Sequence, residues 1–276
     1  MTQKTIAFIG GGNMARSLIG GLIADGYSPE RIRVADPNAE RRTEMQGRFG
    51  VQVFEDNLDA SAGADAVVLA IKPQMLKGVA EPLGPQVRKE GSLVISIAAG
   101  VREPDISRWL GGGVAVVRTM PNTPALVQTG ATALFANAHV TEEQKGLAES
   151  LMRAVGLTQW LDREPLMDAV TAISGSGPAY FFLLMEALED AGAELGLPRE
   201  TARLLTLETA LGAARMALES EEEPARLRQR VTSPGGTTEA ATTVLEDGGI
   251  RELFERAVRA AAGRADELGR MLGDQE

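Results

Sequence analysis

Gly10-Gly11-Gly12-Asn13-Met14-Ala15 follows the apolar run Ile6-Ala7-Phe8-Ile9 and opens a stretch of small, helix-compatible residues. A strand that turns through glycines directly into a helix narrows the fold more than any other feature of this chain. Gly10 permits the tight turn, Gly12 lets the backbone approach a pyrophosphate, and Ala15 lets helix and strand pack closely. The same letters also occur in structural turns, so the strand and the helix on either side carry the weight.

The pattern that begins there continues to about residue 164. Short β-rich runs at 4–9, 31–36, 51–54, 66–71, 92–97 and 114–119 alternate with helical stretches near 13–25, 39–49, 74–87 and 102–110. A strand near 131–136, a helix near 141–155 and a strand near 157–161 follow. Continuous apolar strands separated by helices predict a mostly parallel sheet covered on both faces. After Pro165 the strand signal stops. Helices are predicted over 178–195, onward from Pro198 to about Ser220, and near 224–231, 237–246 and 251–272. The reading is an α/β dinucleotide-binding domain over residues 1–164 and an all-α domain over 165–276. The run Phe181-Phe182-Leu183-Leu184-Met185 leaves its helix no solvent face, so a second subunit is expected to cover it.

The chain's 276 residues suit two domains. A net charge of −10 argues against nucleic acid or an anionic membrane surface as partner. With no cysteine and a single histidine, His139, there is no disulfide, no thiolate chemistry and no multi-imidazole metal site; no metal is expected, although a carboxylate-only site stays open. No apolar run approaches the roughly 20 residues that span a bilayer. The start reads as a strand rather than a signal peptide, so the expectation is a cytoplasmic protein.

Asp36 ends the second strand, where an acid would bind the ribose hydroxyls of NAD. Arg41 and Arg42 follow, and could hold the 2′-phosphate of NADP instead; Asp36 reads equally as a turn residue before Pro37. In sheets of this kind the ligand sits at the carboxyl ends of the strands. Three segments lie there: Ala70-Ile71-Lys72-Pro73, Ile97-Ala98-Ala99-Gly100 and Met120-Pro121-Asn122-Thr123-Pro124. Their convergence beside the glycines predicts a nicotinamide site, against the plainer reading of three turns.

Two glycine-rich helix starts fall in the second half. In Ser174-Gly175-Ser176-Gly177-Pro178-Ala179-Tyr180, Pro178 suits a first helical turn and Ser176 can cap it. Ser233-Pro234-Gly235-Gly236-Thr237-Thr238 combines two glycines, hydroxyls and a helix start, which makes a nest for a carboxylate; the plainer alternative is an N-cap made by Thr237 or Thr238. Residues 165–276 contain no lysine and no histidine. Reduction of a ketone ordinarily needs such a proton carrier. A C=N substrate can arrive already protonated, and a hydroxyl hydrogen-bonded to its nitrogen is then enough. Thr238 is the candidate hydroxyl.

Taken in order, Gly10 to Ala15, Ala70 to Pro73, Ala98-Ala99-Gly100-Val101, Met120 to Pro124, Ser174 to Tyr180 and Ser233 to Thr238 resemble the motifs of pyrroline-5-carboxylate reductases over nearly the whole chain. The last motif is the most specific. The resemblance implies a Rossmann domain, and reduction of 1-pyrroline-5-carboxylate to L-proline by NADPH or NADH, the last step of proline biosynthesis. It implies that Gly235, Gly236, Thr237 and Thr238, assisted by Ser233, hold the carboxylate. The Thr238 hydroxyl would face the ring nitrogen, and Ser176 would lie near nicotinamide and substrate. Gly10, Gly12, Asn13, Met14, Ala15, Asp36, Ala70, Lys72, Pro73, Ala98, Met120 and Asn122 fall to the cofactor. It also implies a homodimer through the helical domain, or a larger ring of dimers. The resemblance departs at Asp36-Pro37-Asn38, where many NADP-preferring members carry Asn-Arg or Ser-Arg, so the choice between NADP and NAD stays open. Two rivals remain: a hydroxyacid dehydrogenase of similar architecture, and a non-catalytic nucleotide-binding sensor.

Overall fold

The computed structural model describes residues 3–274, and its central element is one eight-stranded sheet. Its strands are β1 (Ile6–Ile9), β2 (Ile32–Ala35), β3 (Gln52–Phe54), β4 (Ala66–Leu69), β5 (Leu93–Ser96), β6 (Val116–Met120), β7 (Gly130–Ala136) and β8 (Gly156–Trp160). They lie in the order β3-β2-β1-β4-β5-β6-β7-β8. β1 pairs parallel with both β2 (Ile6 opposite Ile32) and β4 (Ile6 opposite Ala66), so the strand order reverses beside β1.

Strand polarity follows from the connections. Helices α1 (Asn13–Ala24), α2 (Ala39–Phe49), α3 (Asn57–Ser61), α4 (Leu76–Glu90) and α5 (Glu103–Trp109) carry the chain between β1 and β6, and each pairing among those strands is parallel. Only the turn around Thr123–Val127 separates β6 from β7, too little for a crossover, and that pair is antiparallel. Helix α6 (Glu142–Arg153), closed at its start by a Thr141–Gln144 capping box, restores a parallel β7–β8 pair. Along β1, Ile6 and Phe8 enter one core with α1, α2 and α6, while Ala7 and Ile9 enter the other with α4 and α5. Burial on both faces is why these strands read as unbroken apolar runs rather than alternating ones.

Past β8 the chain is helical: α7 (Leu166–Val170), a single π-turn at Thr171–Gly175, α8 (Gly177–Glu194), α9 (Arg199–Glu219), α10 (Pro224–Arg230), α11 (Thr237–Asp247) and α12 (Ile250–Gly273). The chain divides into two compact units. One comprises the residues up to Ser176 together with those from Ala261 onward; the other is Gly177–Ala260. This division falls later than the change of sequence pattern at 164/165, and it returns the end of α12 to the sheet-bearing unit. The reason is visible in the contacts. Arg102 pairs with Asp266, Arg108 donates to the carbonyl of Gly273 at 2.8 Å, and Leu272 packs against the α4–α5 core. In the helical unit, Gly192 of α8 lets Ala202 of α9 approach closely. Among the described residues, no helix is long and apolar enough to cross a membrane.

Candidate active site

The glycine turn sits where the strand order reverses. Gly10 has φ +101°, and a Cβ there would collide with the Ala70 carbonyl oxygen. Glycine at this position therefore does two things: it takes a backbone conformation costly for other residues, and it lets the ends of β1 and β4 meet. At Gly12 a Cβ would touch nothing within 4 Å, so the space before the backbone is open. Gly12 is also the N-cap of α1, with no side-chain hydrogen bond to the first-turn amides. Open space beside unsatisfied amides at the positive end of a helix suits a pyrophosphate. Asn13 and Met14 occupy that first turn; Asn13 Oδ1 accepts from Arg16, which also pairs with Glu44.

Asp36 makes the turn before Pro37 that the sequence allowed, and it also reaches the glycine loop, which the sequence did not show. It is 3% exposed. One carboxylate oxygen accepts the Gly11 N–H at 2.9 Å, and the other accepts the Asn38 N–H at 2.9 Å. Asp36 thus ties the end of β2 to the glycine loop. Arg41 lies 3.5 Å from it with an exposed guanidinium, whereas Arg42 is spent on the carbonyls of Asp36 and Pro37 and on Glu55.

The three strand-end segments do border one edge of the sheet. The amide of Ala70 bonds the Ile9 carbonyl at 2.8 Å, that of Ile97 the Leu69 carbonyl at 3.3 Å, and the Thr119 hydroxyl the Ser96 carbonyl at 3.0 Å. Ala98 and Met120 are buried there, and Lys72 is exposed before Pro73. Asn122 reaches across to Ser174, and the Met120 methyl lies against Gly175, so the Met120 and Ser174 motifs adjoin. Nothing in the sequence reading joined these two. Beneath them Arg118, 2% exposed, pairs with Glu164, another link sequence inspection missed. Burial pushes the nearby Asp168 carboxyl above its usual range, against the pull of Arg118 and Arg102.

Ser176 does not cap a helix, contrary to expectation. It keeps right-handed helical angles (φ −85°, ψ −21°), and its N–H bonds the Thr171 carbonyl at 2.8 Å, closing the π-turn. The chain winds on from α7 toward α8 without the extended residue that an N-cap requires.

The Ser233–Thr238 turn, in the helical unit, has the geometry of an anion nest. Gly235 has φ +68°, and Gly236 is the N-cap of α11 with no side-chain cap. Neither Thr237 nor Thr238 plays the capping role weighed above. The Gly236 amide turns back to the Ser233 carbonyl at 3.0 Å, and the first-turn amides point out of the helix end. The sequence reading gave Glu239 no role. Its carboxylate accepts the Gly235 N–H at 2.7 Å, so the turn already holds one carboxylate, its own. The signal was available: Glu239 stands three residues after the N-cap, the spacing of a capping box. The Thr238 hydroxyl is half-buried and donates to nothing among the described residues.

Residues 164–268 match the family model for pyrroline-5-carboxylate reductase dimerisation, and residues 5–100 match the model described as NADP oxidoreductase coenzyme F420-dependent. A pyrroline-5-carboxylate reductase from Pseudomonas aeruginosa is 55% identical over 99% of this chain and 100% of its own. The chain belongs to the pyrroline-5-carboxylate reductase family. Among solved structures, a pyrroline-5-carboxylate reductase from Coxiella burnetii superposes with a TM-score of 0.94 at 53% identity, covering 97% of this chain and 99% of that one. The Plasmodium falciparum pyrroline carboxylate reductase, with NADP bound, superposes with a TM-score of 0.85 at 28% identity, covering 98% and 99%. Family membership makes the fold a Rossmann-like, mostly parallel sheet followed by a helical dimerisation domain.

Proposed function

We propose that the Ser233–Thr238 turn holds the carboxylate of 1-pyrroline-5-carboxylate while the Thr238 hydroxyl meets its ring nitrogen. The reaction is the family's: reduction of the C=N bond to give L-proline, by an NAD(P)H-dependent oxidoreductase. The open backbone at Gly12, the bare α1 amides and the Gly10–Ala70 approach fit a dinucleotide. When bound, that cofactor supplies the hydride. The chain does the rest. The amides of Thr237 and Thr238 lie at a helix start whose dipole favours the substrate carboxylate, and Ser233, Gly235 and Gly236 border them. The ring nitrogen, protonated as an iminium, first donates to the Thr238 oxygen. As the nitrogen becomes a neutral amine, the same hydroxyl can donate back to the new lone pair. The amine takes its last proton from water, so no lysine or histidine is required.

The single observation that carries this assignment is the uncapped α11 N-terminus beside an unengaged Thr238 hydroxyl, in a chain of this family. The helical unit supplies the dimer contact, and a larger ring of such dimers is the assembly expected of the family. Its turn can then serve the sheet-bearing unit of the same chain or of the partner. We place the enzyme in the cytoplasm. Either cofactor is chemically competent, and the exposed Arg41 guanidinium favours a 2′-phosphate as much as Asp36 opposes one. The test is oxidation of NADPH and of NADH with pyrroline-5-carboxylate. Turnover with this imine and none with 2-oxo or 2-hydroxy acids is expected; the reverse pattern would return the chain to the hydroxyacid dehydrogenase reading.

A further inference from the structure

Asn122 stands in a segment that sequence reasoning gave to the cofactor, yet its amide is spent elsewhere. Its Nδ2 donates to the Ser174 carbonyl at 3.3 Å and to the Ser174 hydroxyl oxygen at 3.2 Å. Its Oδ1 accepts the Ala131 N–H at 2.9 Å. The Ser174 hydroxyl in turn donates to the Ala131 carbonyl at 3.4 Å. These bonds close a ring between the end of β6, the start of β7 and the π-turn. The amide can point only one way. Reversed, it would set Nδ2 against the Ala131 N–H and Oδ1 against the Ser174 carbonyl. Both Nδ2 contacts go to Ser174, so the amide is directed at the π-turn rather than at a nucleotide.

The Ser174 carbonyl cannot take its α-helical partner, for a covalent reason. In an α-helix it would accept from the amide of residue 178. That residue is Pro178, which has no N–H. Asn122 offers that carbonyl a donor from outside the helix. The consequence falls on the next residues. Gly175 lies against the Met120 methyl, and Ser176 closes the π-turn. Single π-turns inside helices recur at functional sites because they rotate the following side chains to a new direction.

We propose that Asn122 is a positioning residue, which acts through Ser174 to fix the π-turn that aims Ser176 at the reacting centre. The proposal rests on the reading of the chain as an imine reductase that uses Ser176. Asn122→Ala, Asn122→Asp, Ser174→Ala and the Asn122→Ala/Ser174→Ala double variant test it. The measurements are kcat with pyrroline-5-carboxylate, NADPH Kd by fluorescence, and the thermal midpoint. Asn122→Ala should lower kcat by about tenfold or more, because small misplacements of positioned groups are costly in rate. NADPH Kd should stay within about twofold, a change worth less than half a kcal/mol. Asn122→Asp keeps the Ala131 bond but cannot donate to Ser174, so it should lose as much as alanine. The double variant should be no slower than Asn122→Ala, because both act in one ring.

A large rise in NADPH Kd with kcat intact would make Asn122 a cofactor ligand and overturn the proposal. So would a fully active Asn122→Asp, or losses that multiply in the double variant. If Asn122→Ala does not fold, Ser174→Ala decides alone: it must lower kcat without moving NADPH Kd, and unchanged kcat would overturn the proposal. An inactive wild-type enzyme would instead sink the imine-reductase reading.

Discussion

In the sheet-bearing unit, Phe8, Leu18, Ile19, Leu69 and Ile95 lose essentially all contact with solvent. In the helical unit, Phe181, Phe182 and Leu183 remain 62%, 64% and 67% exposed, and Leu204, Leu211 and Phe254 are exposed too. Ala202 is that unit's one buried hydrophobic residue among those described. The two units come from one chain and are similarly rich in apolar residues. What differs is geometry. A sheet presents two faces, and short crossovers return helices to cover both. Helices joined end to end over Gly177–Ala260 have nothing of their own to close around. The first unit is finished by its own residues, and the second leaves its apolar faces uncovered.

The strongest way to break this comparison is to spoil the unfinished surface. A two-fold interface repeats every substitution. Phe182→Asp with Leu183→Asp therefore removes four large side chains from a dimer contact, about 6–12 kcal/mol at roughly 1.5–3 kcal/mol each. The dimer should weaken by at least ~10⁴-fold, with loss of activity at low micromolar concentration. Light scattering reads the mass. A variant of unchanged mass and activity would mean that the exposed α8 face contacts nothing that matters.

The next effect separates the units chemically. Thr238→Ala should slow turnover by about 30- to 1000-fold, roughly 2–4 kcal/mol, because a hydrogen bond strengthened in the transition state is lost. NADPH affinity should not change, since the cradle lies in the other unit. Gly12→Val should do the opposite: it fills the space open before the α1 amides and abolishes cofactor binding without disturbing its neighbours. Mixing the two inactive proteins under subunit exchange sharpens the point. Recovered activity requires a site shared between chains, and none would assign both halves to a single chain. Wild-type turnover by Thr238→Ala would reduce that residue to ordinary helix structure.

Legibility in the sequence followed the same division. Strands β1, β4 and β5 were readable because burial on both faces leaves three or four consecutive apolar residues with a helix after each. The fingerprint was readable because glycine at a positive φ and at a close approach has few substitutes. The antiparallel turn from β6 to β7 was not, since polarity depends on what fits between strands rather than on their composition. Ser176 looked like a cap because serine before Gly-Pro usually is one. The π-turn that displaces it adds one residue to a helical pattern and leaves no periodic trace. Pro178 does sit in the first turn of α8, as the sequence indicated, but it also removes the amide that an α-helical Ser174 carbonyl would use, and that second consequence was not drawn from it. Asp36 was legible as important but not as a brace between β2 and Gly11.

That brace makes the cofactor preference a moderate and testable effect. Asp36→Asn keeps one acceptor for the Gly11 N–H but removes the charge facing Arg41. The freed guanidinium and the lost repulsion should raise the NADPH-to-NADH ratio of kcat/KM by about tenfold, equivalent to roughly 1.4 kcal/mol. A ratio that stays put, with a lower thermal midpoint, would confine Asp36 to holding the glycine loop.

The smallest effect is expected at Glu239, where the helical unit is least like the cradle. The amides at the start of α1 have no side chain upon them, whereas Glu239 already sits on the Gly235 N–H of the second turn. A substrate carboxylate arriving at the neighbouring helix-start amides meets a like charge. Glu239→Gln retains an oxygen acceptor for Gly235 and removes the charge. KM for pyrroline-5-carboxylate should fall by about two- to fivefold, the scale of one charge near a helix start, with kcat unchanged and the gain shrinking as salt is added. A rise in KM instead would give Glu239 the opposite role, a cap whose charge holds the Gly235 turn in shape for the substrate.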